Sequence, residues 1–221
     1  PRVLEPERAL GARHPAGGRL GALDERTRAV FLFSLAISYH ELGDYEAAIA
    51  TGTQSLARFR ATEADRDAAN LENELALVYL ALGSLEVARA HAQHAREYFE
   101  GQHDERLLAH VTESDAQIAL AAGDTDGAIR LATEARRLAE VSGDTKAAVS
   151  ATLTLGRAQR TVGDLDLAAK TLEKAADLAR AHGRRTQLQA VLGALSEVAA
   201  ERGDLATAYA LSREALDAGR R

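Results

Sequence analysis

Few residues in this sequence are arranged as chemistry requires, and those few set the question. His91 and His94 stand three apart, which places two imidazoles on one helix face and could begin a metal site. No carboxylate stands with them as a defined third ligand, so solvated surface histidines are the simpler reading. The stretch "HELGD" at residues 40–44 lacks the second histidine that a zinc-protease helix needs. "AGGRLG" at residues 16–21 is glycine-rich, but no strand precedes it to make a phosphate-cradling turn. No nucleophile stands with a base and an orienting group. The expectation is a protein that binds and does not catalyse, with no cofactor and no metal.

The totals narrow this further. Net charge is −6, so the chain lacks the clustered lysines and arginines with which a protein grips a phosphate backbone; no direct nucleic-acid binding is expected. No run of 18 apolar residues exists, so no membrane span is expected either. With no cysteine and no visible secretory signal, a reducing, cytoplasmic setting is expected. The sequence opens on Pro1 and contains no methionine, which reads as a piece of a longer protein.

What must position any site is a repeat. Gly43, Gly83, Gly123, Gly163 and Gly203 recur every 40 residues. Asp44, Ser84, Asp124, Asp164 and Asp204 follow them, each a good N-cap. Each glycine is a residue that can close a helix in the left-handed conformation. Glu46, Glu86, Asp126 and Asp166 come two residues later, where the helix dipole favours an acid. Ala48, Ala88, Ala128, Ala168 and Ala208 stand five past each glycine, small enough to let two helices lie close. Seven before each glycine stands another small residue: Ala36, Ala76, Ala116, Gly156 or Ser196. The pattern predicts five helix–turn–helix pairs over residues 23–221. Residues 1–22 hold all three prolines and read as an irregular arm.

A small residue, seven positions, Gly-Asp or Gly-Ser, then Ala four on, resembles the tetratricopeptide repeat. The period here is 40 residues, against about 34 in that family, the large first-helix Trp is absent, and the first-helix Tyr survives only as Tyr39 and Tyr79. The resemblance implies an all-α fold, a right-handed α-solenoid whose first helices line a concave groove. The longer period is similar to that of sensor domains in bacterial helix-turn-helix transcriptional regulators. On that likeness the chain would sense a ligand or partner, with the DNA-binding domain outside it. The alternative is a scaffold that holds a partner protein without switching.

Inward-facing positions counted on that fold are Phe33, Ile37 and His40 from the first repeat, and Asn70, Asn73, Glu74 and Leu77 from the second. The third gives His110, Glu113, Ser114 and Gln117; the fourth gives Thr154, Arg157 and Arg160, and the fifth Glu197. Asn70 and Asn73 are the only asparagines, and a carboxamide can donate and accept at once, as a ligand's peptide group requires. Their bland reading is a helix start and a solvated side chain. Arg157 and Arg160 could present a fork to a carboxylate, or could instead pair with Glu113 or Glu197. Asp115 interrupts an apolar stripe where its counterparts are Leu35, Leu75, Leu155 and Leu195. It must bond a tyrosine or arginine, mark a polar groove site, or reflect a shifted register. The expected partner is a protein or peptide in the groove, with a homodimer through the C-terminal repeat as a further expectation.

Overall fold

A computed structural model describes residues 24–220, and the arm with its "AGGRLG" lies outside the described residues. Ten helices follow one another: α1 Glu25–Glu41, α2 Tyr45–Ala61, α3 Asp65–Ala81, α4 Leu85–Gly101, α5 Glu105–Ala121, α6 Thr125–Ser142, α7 Thr145–Thr161, α8 Leu165–Ala181, α9 Arg185–Glu201 and α10 Leu205–Arg220. No strand occurs among the described residues. The fold is an all-α solenoid of helix–turn–helix pairs.

The joints are made locally. In the first, the Gly43 amide donates to the His40 carbonyl and the Asp44 amide to the Tyr39 carbonyl, each at 2.9 Å. Asp44 then turns round and caps the next helix, its carboxylate accepting from the Ala47 amide at 3.1 Å. One dipeptide therefore ends one helix and begins another. Asp24, Asp104, Asp124, Asp144, Asp164 and Asp204 cap in the same way. Ser84 does not: α4 begins without a side-chain cap, contrary to the sequence expectation. Ala64 and Arg184 also leave their helices uncapped.

The joint in fact recurs every 20 residues, twice as often as the glycine pattern announces. The turns that lead from one pair to the next have the same hydrogen bonds, centred on Glu63, His103, Gly143 and Gly183. Glu63 and His103 both sit at φ 52°, left-handed backbone that costs an L-residue with a Cβ. Replacing either with glycine removes a penalty of roughly 1–2 kcal/mol, less roughly 0.5–1 kcal/mol of extra unfolded-chain entropy. Glu63→Gly and His103→Gly are each expected to stabilise by about 0.5–1 kcal/mol, read as a higher urea midpoint at unchanged slope.

Small residues set how closely helices approach. Ala48, Ala88, Ala128 and Ala168 are fully buried. Gly156 lies so close to α8 that a Cβ there would meet Leu172 at 2.6 Å. Successive odd helices touch one another along the stack, and no pair of even helices does so to a comparable extent. A stack whose odd helices are nearer together than its even ones bends toward the odd side, so α1, α3, α5, α7 and α9 form its inner wall.

Candidate functional site

The inner wall is tied across its helices by polar side chains. His40 Nδ1 on α1 lies 2.5 Å from Glu74 Oε1 on α3. That hydrogen bond holds the imidazolium and raises the His40 pKa above its ordinary value, against partial burial. On α5, His110 Nε2 is 3.0 Å from Asp144 Oδ2 at the start of α7. Burial opposes the Asp144 charge, but the Ala147 amide and His110 outweigh it, and its pKa is lowered. Arg160 on α7 reaches Glu197 at 3.0 Å and Glu201 at 2.7 Å on α9.

Between these ties sits Glu113, almost wholly buried. One of its oxygens accepts from Gln117 at 2.7 Å and from Thr154 at 2.8 Å. Burial pushes its carboxyl pKa up, with those donors and the fields of His110 and Arg157 pulling the other way. Ser114 is spent locally on the His110 carbonyl at 3.2 Å. Asn73 occupies on α3 the register that Glu113 occupies on α5. Its carboxamide oxygen is buried and has no hydrogen-bond partner. A buried acceptor without a donor costs about 1–3 kcal/mol, a cost that would be recovered if the side chain turned to meet an incoming N–H group. Asn70, Phe33, Ile37 and Leu77 are half-buried on the same wall. Phe33 also leans edge-on against Phe59, with ring centroids 6.3 Å apart.

The two arginines do not form a fork. Arg160 is engaged by the two glutamates, whereas Arg157 is exposed and shows no ion pair with them. Asp115 resolves to one of its three readings. It receives Arg96 of α4, whose Nε donates at 2.9 Å, while burial still raises its pKa against that pairing.

Sequence reasoning missed one cluster. Glu72 on α3 is 3% exposed. Arg60 of α2 donates to it at 2.6 Å, and His91 of α4 shares a short hydrogen bond with its other oxygen. His94 stands 3.8 Å away, and Tyr79 stacks on the His91 ring at 5.2 Å and 8°. His91 is therefore no solvated surface histidine. The signal was available: Glu72 takes the place held by Leu32 and Leu192 in other repeats. Burial works against its charge, but His91, Arg60 and His94 together hold its pKa below the ordinary value. No group of three or more His, Cys, Asp or Glu placed to hold a metal ion occurs among the described residues.

Hairpins stacked at this register form an all-α solenoid of helix–turn–helix repeats. The tetratricopeptide repeat family model matches residues 29–57 and 143–182. No curated protein sequence matches the chain. Among solved structures it is similar to a Rap protein complexed with competence and sporulation factor, at TM-score 0.82 and 14% identity over 91% of this chain and 57% of that one. It is also similar to the Rap conjugation gene regulator of plasmid pLS20 in complex with the Phr* peptide, at TM-score 0.71 and 14% identity. That likeness covers 97% of this chain and 66% of the other. A thermophilic tetratricopeptide-repeat protein of Thermus thermophilus aligns at TM-score 0.64 and 19% identity, over 87% of this chain and 92% of its own. The chain thus spans little more than half the length of the first Rap protein.

Proposed function

We propose that the inner wall binds a peptide or an extended protein segment, as the sensing module of a bacterial cytoplasmic transcriptional regulator. The observation that carries this reading is the Asn73 carboxamide oxygen, buried in the wall with nothing to accept from. An extended ligand presents backbone N–H and C=O groups at intervals, and a carboxamide answers both. The half-buried Ile37 and Leu77 supply the apolar contact beside it. Two of the similar folds were solved as complexes, one with competence and sporulation factor and one with the Phr* peptide, which adds support at the level of architecture.

Sensing needs a ligand that binds two states of the stack unequally. The ties His40–Glu74, Glu113–Thr154 and Arg160–Glu197 are the contacts that such a change would have to break. The same ties, if they hold in the bound state, favour a rigid scaffold as the second reading. Self-association through α10, whose Leu205, Tyr209 and Leu216 are exposed, belongs with either reading.

The test is a random-peptide display selection on the immobilised chain, followed by titration of the recovered peptides. Asn73→Ala is expected to weaken them by about tenfold, the worth of one well-made hydrogen bond. Peptides that bind Asn73→Ala as tightly as the unaltered chain would remove the site from the inner wall. Small-angle scattering of the complex then separates the readings: a changed radius of gyration marks the sensor and an unchanged one the scaffold.

A further inference from the structure

Every odd helix ends, and every even helix begins, along one edge of the stack. The opposite edge carries the turns from one pair to the next. The two edges differ in charge and in their exposed apolar side chains. At the first edge, residues 41–46, 81–86, 121–126, 161–166 and 201–206 hold ten carboxylates and one cation, Arg202. At the second, residues 61–66, 101–106, 141–146 and 181–186 hold five acids and five lysines or arginines. The first edge is thus more negative than the whole chain, whose net charge is −6.

The same edge is apolar where it has no structural reason to be. Leu42 is 80% exposed, and Leu82 and Val162 occupy the equivalent place in other repeats at 46% and 52%. Val87 and Leu167, third residues of α4 and α8, are 42% and 45% exposed beside them. With Leu205 at the start of α10, also 70% exposed, six of the eleven large hydrophobic residues exposed among the described residues lie along this edge, whereas Val141 alone marks the opposite edge. Capping accounts for acids at the helix starts. It does not account for Leu42, Leu82 and Val162 standing in water next to them in three of the five repeats, Ala122 and Arg202 holding that place in the other two. Rows of exposed apolar side chains rimmed by one sign of charge are what a docking surface shows.

We infer that this edge is a second interaction surface, separate from the inner wall, and that its partner is a basic amphipathic helix of another protein. Apolar side chains on one face of such a helix would cover Leu42, Leu82 and Val162, while lysines or arginines flanking that face meet the carboxylates. An acidic or neutral segment would leave the carboxylates desolvated and unpaired. Because the carboxylates are exposed, their contribution falls with ionic strength.

The probe is a fluorescein-labelled synthetic helix of leucine and lysine, leucines along one face, titrated by anisotropy against the full chain. Binding is expected to weaken with added salt and to be absent for the same peptide with glutamate in place of lysine. The triple change Leu42→Ser, Leu82→Ser and Val162→Ser alters exposed positions only, and it is expected to lower affinity by about tenfold or more. Val141→Ser at the other edge, the matched control, is expected to leave it unchanged. Equal binding by the triple variant would overturn the inference. So would loss of binding on Asn73→Ala, which would place the peptide in the inner wall.

Discussion

Phe59→Ala is expected to cost about 3–5 kcal/mol, the largest loss of any single change considered for this chain. Phe59 is fully buried on α2, where it packs with Leu56, Ala68, Leu71 and Leu75 at the junction of the first two pairs. Most later junctions are filled by alanines, leucines and valines, so only Phe59 and its counterpart Phe99 concentrate so much area in one side chain. In a stack where each repeat touches only its neighbours, the damage should be local before it is global. Hydrogen exchange is expected to show α1 and α2 losing protection first, ahead of the main transition seen by circular dichroism. Phe33→Ala should follow the same course with a smaller loss, since Phe33 is only half-buried. That makes Phe33 an unclean probe of binding, and Asn73 the better one. A Phe59→Ala chain within 1 kcal/mol of the unaltered one, by about the usual uncertainty of such measurements, would sink the packing account.

The second large effect is expected at Glu72. His91→Ala removes one partner of a carboxylate that is 3% exposed, and should cost about 2–3 kcal/mol at neutral pH because Arg60 remains. Adding Glu72→Leu, the residue that Leu32 and Leu192 supply in other repeats, is expected to restore most of that loss. The sign of the pH dependence follows from the lowered Glu72 pKa. A carboxyl with a depressed folded-state pKa contributes stability that is present above its unfolded pKa. The contribution is lost as pH falls through the folded value. Urea midpoints of the unaltered chain should therefore drop on acidification more steeply than those of Glu72→Leu. Parallel curves would show that Glu72 is not linked to folding in this way.

Most of the fold was legible because its joints are local. A glycine at positive φ and an aspartate that caps the next helix are decided within five residues of chain, and both are visible as letters. The joints at Glu63 and His103 were hidden, since the same backbone is imposed there on residues that do not prefer it. Tertiary packing sustains that strain, and nothing in the local sequence reports it. The charged partners were hidden for a different reason. Asp115 was plainly an acid in an apolar stripe, but that Arg96 answers it depends on how α4 lies against α5. Arg157 and Arg160 look alike at helical spacing, yet only the second lies within reach of Glu197 and Glu201, residues on the next inner helix. The period of a helix is a property of one segment, so composition and spacing determine which face is apolar and where each turn falls. The offset between helices is a property of two segments, summed from every contact along them. That offset, set only in the folded stack, decided which carboxylates are neutralised, which histidines meet a carboxylate, and that the Asn73 oxygen is left without a donor.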